Sequence, residues 1–337
     1  MDPREAARAR ARLAAAVRES LGGLGYEEVE TPCLVPAPGQ EPHIAPFEAR
    51  FVPEGGGRET PLWLHTSPEY AMKRLLARGF PRIFQLARVF RNGEVSPQHN
   101  PEFTMLELYR AGTDYRGVMA DLESCIAACA AAVGGRTLVA RPGGGTLDLA
   151  APFERITMAE AFREAAGIDL GDADGEVDRL RRAAEAAGLS PGAPGDTFDD
   201  LFFRIFLARV EPGLGLTRPV YVTDWPAPMA ALARLRPDDP RWAERFELYA
   251  GGLELANGFS ELTDAREQRR RFVAEQEERR RLGRPVPPLD ERFLAELPRM
   301  PEAGGVALGF DRLLMLLTGA RDIRELLLFP AAEFLAK

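Results

Sequence analysis

The 337-residue chain is predicted to fold as an α+β protein, because three signals recur along it: apolar residues at helical spacing, strand-like alternation around a polar loop, and a run of short strands separated by turn residues. With 45% hydrophobic residues it can bury a large core, and its length permits one large unit or two average domains. No stretch approaches the about eighteen apolar residues that span a bilayer, and 1–16 is Arg-rich and amphipathic without the apolar centre of a signal peptide. A cytoplasmic protein with no membrane attachment is expected.

Residues 4–24 carry Leu13, Val17, Leu21 and Leu24 at helical spacing, and Gly22, Gly23 and Gly25 close that helix before an extended, Pro-punctuated stretch at 26–35. A second helix is predicted over 67–78, with Pro68 near its start and Gly79 just past its end. Residues 83–90 and 103–109 read as strands flanking a polar loop that holds Pro97 and Pro101. The middle third, about 122–244, has helix-like segments at 158–166, 177–187 and 198–210 between Gly/Pro-rich joints, and shows little chemistry. Residues 218–225 read as a strand. Three more at 246–250, 253–256 and 259–262 form a β-meander with Gly251-Gly252 and Asn257-Gly258 as its turns. An Arg/Glu-rich helix at 264–282, a Pro-rich joint at 284–288 and a glycine-bracketed strand entering a helix at 311–317 complete the chain; no internal repeat is evident.

Cys33, Cys125 and Cys129 are odd in number and lack paired ligand spacing, so they read as buried small apolar residues and not as a disulfide or zinc framework. A net charge of -8 argues against overall attraction to nucleic acid. Lys73 and Lys337 are the two lysines among 43 basic residues, a bias that fits genome composition.

In a two-residue Asn257-Gly258 hairpin, Glu254 faces Glu261. Like charges directly opposite on a sheet are destabilising, so the pair is expected to share a cation, with Mg²⁺ the fitting ion, or to meet a cationic substrate, or else to lie on a solvated face. In the strand 103–109, alternation puts Phe103, Met105, Glu107 and Tyr109 on one side, suited to a planar base on Phe103 and an ammonium at Glu107 and Tyr109; Gln85 and Arg91 share that parity on the preceding strand. Arg312 falls in the first turn of the last helix, where a cation opposes the macrodipole unless an anion such as phosphate joins it.

These blocks closely resemble the signature motifs of class II aminoacyl-tRNA synthetases of the lysine branch. Motif 1 is matched by 11–36, motif 2 by Phe90-Arg91-Asn92 through His99-Asn100-Pro101-Glu102-Phe103-Thr104-Met105-Leu106-Glu107-Leu108-Tyr109, and motif 3 by 305–317. Glu254-Leu255-Ala256-Asn257-Gly258-Phe259-Ser260-Glu261-Leu262 matches the family's metal and substrate strands. The resemblance covers essentially the whole chain and implies a single catalytic domain, an antiparallel sheet flanked by helices, dimeric through motif 1. It implies that an amino-acid carboxylate attacks the α-phosphate of ATP, pyrophosphate leaves, and an acceptor takes the acyl group. By resemblance, Arg91 stabilises the α-phosphate, Arg312 grips the distal phosphates, and Phe103 stacks on adenine. Asn92, Gly93, Asn100, Leu255 and Gly309 complete the ATP site. Glu254 holds Mg²⁺ and nucleotide, Glu261 is shared between metal and substrate, and Ser67, Glu69, Glu107, Tyr109 and Ala307 line the amino acid.

Three features resemble the family's short paralogues, which ligate lysine to elongation factor P. No room is left before motif 1 for an anticodon-binding domain; Thr66-Ser67-Pro68-Glu69-Tyr70 has Ser67 where synthetases usually have alanine; and Ala307 stands where they usually have glycine. The paralogues prefer (R)-β-lysine, and one methyl discriminates by only about 1–3 kcal/mol, so α-lysine stays open. The expected partner is therefore elongation factor P, with tRNA disfavoured. A truncated synthetase charging tRNA or another amine, and a non-catalytic regulatory paralogue, are the alternatives. The motif 2 acid is displaced by one position, to Glu94. The arginines 266, 269–271 and 279–281, mixed with glutamate, read first as a solvated helix face and second as a docking surface for an acidic acceptor.

Overall fold

The structure, a computed structural model, describes residues 1–135, 137–141 and 144–335, so Lys337 lies outside the described residues. In chain order the elements are α1 (Pro3–Gly23), β1 (Glu27–Glu28), β2 (Leu34–Val35), β3 (Phe47–Phe51), β4 (Thr60–Leu64), α2 (Glu69–Ala77), β5 (Arg82–Phe90), β6 (Glu102–Ala111) and α3 (Tyr115–Gly134). Then come β7 (Leu138–Ala140), β8 (Thr146–Asp148), β9 (Glu154–Thr157), α4 (Met158–Ala166), α5 (Leu170–Ala173), α6 (Val177–Ala186), α7 (Phe198–Ile205) and β10 (Val220–Pro226). The chain continues with β11 (Trp242–Ala250), β12 (Leu253–Ser260), α8 (Ala265–Arg281), α9 (Glu291–Glu296), β13 (Ala303–Gly309), α10 (Phe310–Thr318) and α11 (Ala332–Leu335).

Eight strands form one sheet in the order β1-β5-β6-β13-β12-β11-β10-β9, antiparallel except at its two edges, where β1 pairs β5 and β9 pairs β10 in parallel. This is the expected α+β arrangement of a mainly antiparallel sheet with helices around it. One face is dry: Leu106, Leu108, Leu248, Val306 and Leu308 meet Leu13 and Val17 of α1, Leu122 and Ile126 of α3, and Leu313 and Leu316 of α10. Helix α1 starts where Asp2 accepts the amides of Arg4 and Glu5, an N-cap that satisfies two orphan donors. Helices α4, α6 and α7 build a second core of Phe162, Phe202, Phe206 and Trp225 over the β10 edge.

The fold departs from expectation in several places. Asn257-Gly258 is not a turn: residues 253–260 are one strand, β12, and the predicted meander is a single hairpin closed by Gly251-Gly252. Gly258 is there for close approach, since an added Cβ would stand 2.6 Å from both the Gly305 carbonyl oxygen and Phe246 Cζ. The segment 198–210 is an α-helix only to Ile205 and widens into one π-helical turn at Phe206–Val210. Helix α3 is long and apolar enough to cross a membrane by length and composition, yet it packs between α1 and the sheet as a core helix. Cys125 and Cys129 are buried in it as expected, whereas Cys33 is exposed.

Candidate active site

Register carries side chains from five strands into rows across the face opposite α1 and α3. One row runs Gln85, Glu107, Ala307, Asn257, Glu247, and the next runs Ile83, Tyr109, Gly305, Phe259, Arg245. Further along β6, Met105 lies opposite Ala87 and Gly309, and Phe103 opposite Val89. The expected parity of β6 therefore holds: Phe103, Met105, Glu107 and Tyr109 face the cleft while Leu106 and Leu108 are in the dry core. Glu107 and Phe103, four residues apart, mark two ends of the face about 13 Å from one another.

The first end is acidic. Helix α2 lies over it and delivers Glu69 and Lys73, whose Nζ is 2.6 Å from Glu69 Oε1 and 2.5 Å from Glu261 Oε2. Ser67 just before the helix donates to Glu107 Oε1 at 2.5 Å and accepts the Glu69 amide at 3.0 Å, and Tyr109 donates to Glu107 Oε2 at 2.9 Å. Burial, then the neighbouring Glu69, pushes the Glu107 carboxyl up to about 8, and burial also pushes Glu261 up to about 8 against the pull of Lys73. Gly305 makes the room: a Cβ there would lie 2.2 Å from Glu261 Oε1 and 2.4 Å from Tyr109 Cε1. A cavity of about 200 Å³ opens beside this cluster, lined by Glu41, Thr66, Ser67, Glu69 and Tyr70. The Glu41 carboxyl, raised by burial and Glu69, keeps a buried Oε2 without a hydrogen-bond partner.

The second end carries arginine. A cleft of about 240 Å³ is lined by Arg91, Glu94, His99, Phe103, Glu247, Glu254, Gly309 and Arg312 among others. The Arg91 guanidinium lies 5.2 Å from the Phe103 ring centre, and its buried Nε has no partner. Arg312 donates to the Glu254 carbonyl at 2.8 Å and stands 2.6 Å from His99 Nε2. His99, held below its ordinary pKa by burial and then by Arg312, is neutral there, so Nε2 accepts and Nδ1–H donates to Ser96 Oγ at 2.8 Å. Its part in aiming Arg312 was not legible in the sequence. The anion at the start of α10 is the chain's own Asp311, buried, bonded to the Thr104 amide at 2.6 Å and paired with Arg10.

Of the residues expected around ATP, Asn100 and Leu255 line the arginine cleft, whereas two others do not. Asn92 and Gly93 line a separate apolar cleft beneath α1, and Glu94 reaches the arginine cleft instead. Asn100 binds the Glu102 carbonyl at 2.6 Å and accepts the Ala331 amide at 3.0 Å, so its amide ties the loop to the C-terminal segment. Leu255 is the extra residue of a bulge, between Glu254 paired with Tyr249 and Ala256 paired with Leu248. The shared cation between Glu254 and Glu261 is corrected: with no turn between them, seven positions of strand put them roughly 20 Å apart. The carboxylate beside Glu254 is Glu247, raised to about 7 by burial and then by Glu254, and held by Arg245 at 2.7 Å and Tyr249 at 2.5 Å. Two adjacent acids of this kind fit Mg²⁺, which takes one or two carboxylates and leaves its other positions to water and phosphate. No group of three or more metal-binding side chains converges among the described residues.

The two-ended face defines an amino-acid-activating class. Comparison supports this: the chain belongs to the family of class II tRNA synthetases (D, K and N), whose model matches residues 2–333. Among similar proteins, the elongation factor P–(R)-beta-lysine ligase of Proteus mirabilis (strain HI4320) is 41% identical over 323 residues, 95% of this chain and 93% of that protein. The proteins of the same name from Klebsiella pneumoniae (strain 342) and Salmonella dublin are 42% and 41% identical over 324 residues, with the same coverage.

Proposed function

We propose that this chain is an ATP-dependent, AMP-forming ligase that adenylates (R)-β-lysine and transfers it to the ε-amino group of one lysine on elongation factor P. The carrying observation is the acidic pocket of Glu69, Glu107, Tyr109 and Glu261 on the same face as the cleft of Arg91 and Arg312. A diamino acid anchored by its ammonium groups at the first end presents its carboxylate toward Met105 and Ala307, between the two ends. There the carboxylate oxygen attacks the α-phosphorus of ATP and the bond to the bridging oxygen of pyrophosphate breaks. Arg91 offsets the charge that develops on the α-phosphate, and Arg312 holds the departing phosphates. Mg²⁺, which Glu247 and Glu254 would hold, neutralises phosphate charge when bound. The acceptor amine then attacks the acyl carbon and AMP leaves. Most of the acceleration comes from positioning and fixed charge, so no nucleophilic side chain is needed. Ser67, by donating to Glu107, and Ala307, by adding a methyl to the floor, shape the pocket toward the β-isomer. A homodimer working in the cytoplasm completes the reading.

The test is the intact mass of elongation factor P after incubation with the chain, ATP, Mg²⁺ and (R)-β-lysine, with α-lysine and tRNA in parallel. A single lysyl-sized increase, larger with the β-isomer, is expected. Charging of tRNA without modification of the protein would overturn the acceptor.

A further inference from the structure

The buried ionic cluster contains a cation that the proposed chemistry does not use. Lys73 is 1% exposed, is bracketed by Glu69 and Glu261, and its Nζ lies 5.0 Å from the Phe259 ring centre. Of 43 basic residues 41 are arginine, yet the position at the heart of the pocket is lysine. The physical reason is on view. Two carboxylate oxygens and one aromatic face receive a compact ammonium, whereas a guanidinium would bring five N–H donors in a planar fork and leave most of them unmet.

The charge count follows. Glu69, Glu107 and Glu261 surround Lys73, Glu41 faces Glu69 from the cavity wall, the buried Glu275 lies within electrostatic reach of Glu41 and Glu69, and Tyr109 is held neutral by burial and by Glu107. Carboxylates thus outnumber the single ammonium of Lys73, which suits the pocket to the ammonium groups of an amino acid. We infer that Lys73 is a positioning residue of the amino-acid site, a built-in counter-ion that aims Glu69 and Glu261 at the ammonium groups of a diamino acid. This rests on the proposed reading of the pocket as the amino-acid site.

Lys73 is held above its ordinary pKa by Glu261 and Glu69 against burial, so it stays charged while Glu107 and Glu261 titrate. Without it, those carboxylates lose the cation that favours their ionised form, so a substrate ammonium must displace their protons against a still higher pKa.

The experiment is ATP–pyrophosphate exchange by the full chain with lysine isomers and with 2-aminohexanoic acid, which lacks the second amine, for wild type, K73M and K73R, across pH. K73M is expected to raise the KM for the diamino acid about tenfold or more, and to move the midpoint of its pH profile up by about one unit, while leaving the KM for ATP nearly unchanged. K73R, keeping the charge, is expected to keep the midpoint while its KM rises. K73Q, a donor without the charge, carries the same reading as K73M if K73M does not fold. A purely structural role lowers thermal stability but leaves the amino-acid KM and its pH profile unmoved; that result overturns the inference. Failure of the wild type to exchange with any diamino acid sinks the functional reading itself, and this inference with it.

Discussion

At the residue scale the site turns on which carboxylate neighbours which. Glu254 was legible in the sequence as an acid of the site, but its neighbour Glu247 was not. The signal for it is the Gly251-Gly252 turn, which folds β11 back on β12 and brings Glu247 beside Glu254. Asn257-Gly258 is a strong turn dipeptide locally, and only the packing of Gly258 against Gly305 and Phe246 overrules it. Glu247→Gln is expected to raise the Mg²⁺ needed for half-maximal pyrophosphate exchange about tenfold with the fold intact, read from a metal titration; an unchanged titration would remove Glu247 from the metal site. Arg91→Ala is expected to lower exchange about 10²- to 10³-fold with little change in circular dichroism. The buried acids set a pH dependence. Glu107 and Glu261 have folded pKa values of about 8, raised above the ordinary carboxylate value of about 4.3, so the stability they contribute is present at low pH and is lost as pH rises through 8. A bound ammonium reverses that loss. Lysine is therefore expected to raise the melting temperature more at about pH 9 than at about pH 6.5, and binding at pH 7 to release protons, seen as buffer-dependent heats in calorimetry.

At the element scale, strands and amphipathic helices were readable where one face meets water, as in α1, β5 and β6. Helix α3 was missed because apolar residues surround most of its circumference, which erases the periodicity that marks a half-buried helix. The Arg/Glu helix shows the opposite case. Arg270 pairs with Glu267, Arg280 with Glu277 and Arg281 with Glu278, the solvated face expected of such a run, while Arg271 turns inward and donates to the carbonyls of Ala231 and Ala233. Arg279 differs: it is 2% exposed and donates to the carbonyls of Gln40, Glu41 and Ile44, a tertiary role that no local pattern encodes. It thereby fixes the loop that brings Glu41 to the pocket and, through the Ala45 carbonyl accepting the Asn92 amide at 2.8 Å, steadies the residue after Arg91. Arg279→Met is expected to cost about 3 kcal/mol or more in urea unfolding, because three buried carbonyls lose their donor.

At the scale of the whole molecule, a large cavity lies beside the site. It is an apolar cleft of about 930 Å³ between α1 and the C-terminal segment, lined by Ala7, Ala11, Ala14, Phe90, Leu328 and Phe329. Leu328 and Phe329 are 54% and 83% exposed, an arrangement that costs free energy unless another surface covers it. Helix α1 with the stretch after it is the segment that resembles motif 1, so a second copy related by twofold symmetry is the expected cover, and about 800 Å² per partner would make it stable. The cleft also holds Asn92 and Gly93, and Asn100 ties its wall to the loop beside Arg91, so the apolar cleft and the arginine cleft share a wall. Sedimentation equilibrium is therefore expected to give about twice the 37.1 kDa chain mass. Replacing both Leu328 and Phe329 with aspartate is expected to yield monomers whose pyrophosphate exchange falls along with the dimer fraction. Monomers that retain full exchange would separate the interface from the site, and dimers that survive both substitutions would put the contact elsewhere.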